Sequence, residues 1–200
     1  MRLTVLGATG PTGRLVVRRA LDRGDQVTVY ARRPVRLGDL TGPRLRVLPR
    51  ELADRTAVRR SVEGAQAVIS LLGPGRDKAS IAPLAPGMQN VVDALADAGV
   101  RRLVATSTPS AGDPDDGRDL RFSLMVAGIR LAMAPAYRSI VAMADIIRSS
   151  SLDWTLVRLP LLQDGTLQGT GSGEPHHRAK VPRTEVLPTQ RCTTGRGSVR

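Results

Sequence analysis

Residues 1–13 read MRLTVLGATGPTG. Leu3 to Leu6 is a short apolar run that predicts a buried strand. The chain then breaks at Gly7, Gly10 and Gly13 and enters a segment from Pro11 to Arg23 with Leu15, Val16, Ala20 and Leu21 on one helical face. Strand, glycine loop and helix follow one another directly. Glycine suits backbone that turns at positive φ or passes close to a ligand, and Pro11 suits a first helical position, where its missing N–H has no intrahelical partner. The N–H groups of Thr12 and Gly13 are then free at the positive end of the helix dipole, a seat for a pyrophosphate. The spacing is G-x-x-G-x-x-G rather than G-x-G-x-x-G, so its meaning depends on the elements around it.

Those elements complete a βαβ unit. Gly24-Asp25 turns the chain, and Gln26 to Tyr30 forms a second strand. Its end decides the nucleotide: an acidic residue there holds a ribose 2′-hydroxyl, whereas a positive one accommodates a 2′-phosphate. The chain supplies Ala31-Arg32-Arg33-Pro34 and Arg36, with no carboxylate before Asp39. A guanidinium fork fits the phosphate of NADP(H); the competing reading is ordinary exposed loop charge.

Further on, Leu45 to Leu48 predicts a third strand and Ala53 to Val62 a helix. Ala67 to Leu72 is a continuous apolar run, the mark of a central parallel strand buried on both faces, and Gly73, Pro74 and Gly75 follow it. Met88 to Ala98 has helical period with Met88, Val91, Val92 and Leu95 facing in, closed by Gly99. Arg102 to Thr106 is the fifth strand. It runs into Thr106-Ser107-Thr108-Pro109-Ser110, hydroxyls that either face a ligand at the strand's carboxyl end or cap a loop. Residues 111–119 read as a polar loop whose aspartates lack the spacing of a calcium site. A helix from Leu120 to Ala134 over the site, a second from Tyr137 to Ser149 with Ile140, Ala144 and Ile147 on one stripe, and a sixth strand at Trp154 to Val157 complete the pattern. Trp154 reads as a packing residue.

The fold expected is α/β: a doubly wound parallel sheet of the Rossmann type, in one domain over residues 1–165. Residues 166–200 show no apolar period and carry six basic against two acidic side chains, so an irregular, poorly ordered tail is expected there. His176-His177 lies in that tail without a thiolate or carboxylate cluster, and no metal site is expected. Net charge is +12, almost wholly from arginine, but the arginines are dispersed and only four aromatic residues could stack on bases. Nucleic acid is therefore not the expected partner. A single cysteine, Cys192, excludes an internal disulfide, and no apolar stretch is long enough to span a bilayer. A cytoplasmic protein without a membrane partner is expected. The sequence leaves oligomeric state open, with a monomer as the working expectation.

Five stretches together resemble the atypical short-chain dehydrogenase/reductase group with NAD(P)-binding, NmrA-like domains, above all its biliverdin reductase B/flavin reductase branch. They are GATGPTG at 7–13, VTVYARRP at 27–34, AVISLLG at 67–73, GVRRLVATST at 99–108 and LDWTLVR at 152–158. The resemblance implies that Gly7, Thr9, Gly10, Thr12 and Gly13 hold the pyrophosphate and that Arg32 with Arg36 clasps the 2′-phosphate. It also implies that Leu72 and Gly73 lie along the inner ribose. Glu51 stands where the family borders the adenine with an acid, although Arg50 replaces the usual preceding glycine. Thr108, with Ser107 beside it, takes the place of a serine near the nicotinamide, and these two are the candidate catalytic residues.

Two departures qualify the resemblance. The Tyr-x-x-x-Lys pair of ordinary short-chain reductases is missing, since Tyr137 is followed four places on by Val141. Lys180 to Val186 begins like the family's next segment, yet the apolar helix expected after it does not arrive, as in a truncated or frame-shifted ending. The function implied is an NADPH-dependent oxidoreductase passing hydride to a flavin-like, quinone-like or other conjugated small molecule. The alternative is a non-catalytic NADP(H)-binding regulator or redox sensor of the NmrA type.

Overall fold

The computed structural model describes residues 1–49, 51–75, 77–112 and 120–159. The expected tail at 166–200, the domain boundary at 165, His176-His177 and most of the acidic loop lie outside them. Six strands form one parallel sheet: β1 (Arg2–Leu6), β2 (Gln26–Ala31), β3 (Leu45–Pro49), β4 (Ala67–Ser70), β5 (Arg102–Ser107) and β6 (Asp153–Arg158), in the order 3-2-1-4-5-6. The order reverses between β1 and β4, which pair from Leu3↔Ala67 to Leu6↔Ser70. A crevice opens at the carboxyl ends of strands beside such a reversal.

Alternation along the strands divides the core in two. One layer joins Leu3, Val5, Val27, Val29 and Ala67 to Val17 and Ala20 of helix α1 (Pro11–Asp22). The other joins Leu6, Tyr30, Val68 and Leu103 to helices α2 (Arg55–Val62), α4 (Leu84–Asp97) and α6 (Ala134–Arg148). Two shorter-range elements complete the set: α3 (Lys78–Ile81), capped by the Asp77 side chain, and α5 (Leu120–Ala132), which joins α6 at a bend of 117°.

Several boundaries differ from the sequence reading, each for a local reason. The buried stripe of α1 is Gly13, Val17 and Ala20, with Val16 and Leu21 only half-buried against the core and Leu15 outside it. Glycine at position 13 presses the helix onto the loop and rotates the stripe toward Val17. Helix α2 starts at Arg55 rather than Ala53 because the Asp54 carboxylate accepts the Ala57 N–H at 2.9 Å and fixes the cap. Helix α4 begins at Leu84, four residues early, since Pro86 falls in its first turn, where no intrahelical donor is lost. Pro135 permits the same early start in α6. The apolar run at 67–72 leaves the sheet after Ser70, and Leu71 and Leu72 turn to wall the crevice. Trp154 packs against the α2/α4/α6 core layer, as expected.

Candidate cofactor site

The glycine loop is built by β1 and β4 together. Gly7 has φ +76°, and a β-carbon there would stand 2.5 Å from the Leu71 carbonyl oxygen. Gly13 is equally constrained, because its β-carbon would fall on the Gly7 carbonyl oxygen and 2.6 Å from Ala8 Cα. Gly10 differs from both. Its β-carbon would meet only the Gly7 oxygen, at an ordinary 3.6 Å, and Gly73 faces open space altogether. Two glycines thus shape the loop, while two leave room beside it.

No side chain caps α1, and its first turn holds no acid. The first intrahelical bond runs from Arg14 N–H to the Gly10 carbonyl at 3.0 Å, so the N–H groups of Thr12 and Gly13 precede any intrahelical acceptor. An anion is the natural partner for such an end.

Across the sheet, Glu51, Arg32, Gly7 and Gly73 follow β3, β2, β1 and β4 respectively and Ser107 ends β5, all at the carboxyl edge. Four inter-strand steps of about 4.8 Å give a row roughly 19 Å long, suited to an extended dinucleotide laid across the strands. Arg32, Arg33 and Arg36 are exposed and form no ion pair among the described residues. Asp39, the first carboxylate in sequence after β2, is taken. Arg14 and Arg18 of α1 each reach it at 2.9 Å, an arrangement the sequence reading missed. Its own backbone N–H and the Arg18 and Arg14 guanidiniums hold its carboxyl below the ordinary value. Glu51 is exposed, and its carbonyl accepts the Tyr30 hydroxyl at 2.6 Å, which ties the β3–α2 loop to the end of β2.

Beyond the cradle the crevice deepens into a cavity of about 220 Å³. Thr12, Leu72, Gly73, Ser107 and Thr108, expected from the sequence, all line it. So do Leu71, Met88, Ile140, Met143, Ile147, Leu156 and Leu159, which the sequence reading assigned to core stripes or left unassigned. Their periodicity could not distinguish a core wall from a cavity wall. The polar groups in this lining are hydroxyls. Thr108 Oγ1 shares a hydrogen bond with Ser110 Oγ at 2.6 Å, whereas Ser107 Oγ is buried with no partner among the described residues. An orphaned hydroxyl costs free energy, and a rotation of the covered Ser107 side chain into the cavity it lines would let a polar ring or carboxamide satisfy it. A larger cavity, about 290 Å³, lies at the opposite, amino-terminal end of the sheet between Arg2, Thr28 and Arg46. In open α/β sheets ligands bind outside the carboxyl ends of the strands, at the end of the sheet opposite this larger cavity.

Comparison with known proteins agrees with this geometry. A family described as NAD(P)H-binding matches residues 7–187. A (4-alkanoyl-5-oxo-2,5-dihydrofuran-3-yl)methyl phosphate reductase from Streptomyces griseus is 36% identical over 113 residues, 56% of this chain and 36% of that protein. Cinnamoyl-CoA reductase 1 from Oryza sativa subsp. japonica is 35% identical over 115 residues, 54% of this chain and 34% of that protein. The aligned part is thus about a third of these curated relatives. Among solved structures, a short-chain dehydrogenase/reductase from Veillonella parvula in complex with NADP superposes with TM-score 0.66 at 19% identity, covering 82% of this chain and 71% of that one. The Bordetella bronchiseptica enzyme WbmH in complex with NAD+ gives TM-score 0.65 at 22% identity, covering 82% and 56%. At such identities the two structures attest the fold. The match over 7–187 spans most of the chain, and the protein belongs to the NAD(P)H-binding family.

Proposed function

We propose that the protein is an NADPH-dependent reductase that passes hydride to a conjugated, flavin- or quinone-like small molecule. The observation that carries this reading is the continuity of an anion-seating helix start with a mostly apolar cavity holding the unpartnered Ser107 hydroxyl. The reductase names of the two curated relatives support the same reaction class.

Each residue has a separable task. Thr12 and Gly13 N–H groups receive the pyrophosphate, with Gly7, Thr9 and Gly10 giving the backbone its approach. Arg32 and Arg36 grip the 2′-phosphate, Glu51 borders the adenine, and Leu72 and Gly73 flank the inner ribose. Bound nicotinamide supplies the hydride. Leu71, Met143 and Ile147 exclude water from the reacting face, and Ser107, with Thr108 beside it, orients the ring or the acceptor. The acceptor would gain two electrons with that hydride and take its balancing proton from water. No side-chain acid is needed for an acceptor whose reduced form protonates in solution.

The test is NADPH oxidation by the purified chain with menadione or FMN as acceptor, run beside a direct NADPH binding measurement. Binding without turnover on either acceptor ends the reductase reading. A second reading, a non-catalytic NADP(H)-responsive regulator, draws on Tyr137. It lies on α6 outside the cavity lining, with Val141 one turn on where a proton-relay lysine would stand. A regulator binds NADPH and NADP+ with different affinities; equal affinities leave it nothing to report.

A further inference from the structure

Helix α5 is the anomaly of the surface. Of the seven large apolar side chains exposed among the described residues, five belong to its 120–133 stretch: Leu120, Leu124, Met125, Leu131 and Met133, from 53% exposed at Met125 to 87% at Leu131. The helix is apolar around its circumference, with Val126 and Ile129 half-buried, and α6 is its main packing partner. A helix of this kind is normally enclosed, so a second surface is needed to cover it.

Charge selects among the occupants. From Leu120 to Ala144 the chain holds Arg121, Arg130 and Arg138 and no carboxylate, within a protein of net charge +12. A second copy docked by two-fold symmetry would set this same patch against itself, opposing arginines to arginines. A helix of 13 residues, about 20 Å long and about 10 Å wide, also offers only roughly 200 Å² on one face, small beside the roughly 800 Å² per partner of a stable interface. An anionic lipid surface meets both demands at once, taking the exposed leucines and methionines into its acyl boundary and the exposed Arg130 and Arg138 onto headgroup phosphates. The aspartates at 113, 115, 116 and 119 precede the helix in sequence and are repelled by such a surface. The contact therefore centres on Leu124 to Arg138.

We propose that α5 is a peripheral docking surface for anionic membranes. No single helix among the described residues is long and apolar enough to cross a bilayer, and none is required for contact from one side. The expectation of no membrane partner rested on the lack of a span and does not extend to this mode of binding. The proposal is independent of turnover.

The test is flotation of the full chain with vesicles of phosphatidylcholine containing phosphatidylglycerol, against phosphatidylcholine alone. The expected result is recovery with the anionic vesicles, reduced about tenfold on neutral vesicles or at high salt. The double variant Leu124→Ser/Leu131→Ser should lose about tenfold in vesicle binding while keeping its thermal midpoint and NADPH affinity, because both side chains are exposed and neither lines the cavity. Absence of binding by the full chain overturns the proposal, as does a variant that binds undiminished, since dispersed arginines then account for the attraction. Light scattering that shows a dimer dispersed by the same variant assigns α5 to a second copy and also overturns it.

Discussion

Gly7 and Leu71 leave no room for a methyl group between them: a β-carbon on Gly7 would lie 2.5 Å from the Leu71 carbonyl oxygen. The loop after β1 is therefore seated directly on the end of β4, at the reversal of strand order. Gly7→Ala adds a backbone clash to the strain of φ +76°, and a loss of about 2–4 kcal/mol in folding stability is expected from denaturant titration. Gly10→Ala meets no such obstacle. It should cost no more than about 1 kcal/mol in stability while weakening NADPH at least about tenfold, because its methyl group enters the space the pyrophosphate requires. Equal effects of the two substitutions on stability and binding would remove the distinction drawn between them.

Arg32→Ala tests the nucleotide preference. With Asp39 held by Arg14 and Arg18, the first carboxylate after β2 is engaged, and the exposed Arg32, Arg33 and Arg36 are the groups a 2′-phosphate would meet. Loss of one charge-assisted contact should cost NADPH about 1.5–3 kcal/mol and NADH almost nothing, measured by calorimetry on both nucleotides. A parallel loss for both would place Arg32 outside the phosphate site.

Much of this arrangement was legible in the residue pattern. The glycine spacing, the apolar run at 67–72 and the hydroxyls at 106–108 give the strand–loop–helix unit, the central strand and the edge that lines the cavity from local rules alone. What escaped was long-range. Asp39 is paired with arginines more than twenty residues away, and nothing in its own neighbourhood announces that. Ile147 belongs to the core as its period implies and also lines the cavity, whereas Ile140, on the same stripe, lines the cavity without joining the core. Gly87 is another such case: its β-carbon would meet Leu52 Cβ at 2.6 Å, a helix-to-loop approach with no sequence signature. Periodicity reports which face of an element is apolar, not whether that face meets protein or space.

Ser107→Ala separates a structural from a functional hydroxyl. Because Ser107 Oγ is buried without a partner among the described residues, removing it should leave stability unchanged or raise it by up to about 1 kcal/mol. Turnover should fall about tenfold or more if that hydroxyl orients the ring or acceptor, with little change in NADPH affinity. Thr108→Val provides the comparison. It breaks the hydrogen bond to Ser110, so its effect should register in stability as well as in rate. Unaltered turnover in Ser107→Ala would dismiss the residue from the site.

Acid should act on the clasp between α1 and the loop after β2. The folded-state pKa of Asp39 lies below its ordinary 3.8, first through its own backbone N–H and then through Arg18. A carboxyl with a depressed folded-state pKa contributes its full stability above the unfolded value and loses it as pH falls through the folded one. In that acid window the unfolded chain binds the extra proton, so stability rises with pH. The Asp39→Asn variant should therefore show a flatter stability profile at the acid end of a pH series and no difference in slope near neutrality. Its Arg14 and Arg18 are released beside the cradle, and NADPH binding measured at neutral pH should become more salt-dependent. An unchanged acid limb in Asp39→Asn would mean that the Arg14–Asp39–Arg18 clasp carries no pH-dependent stability.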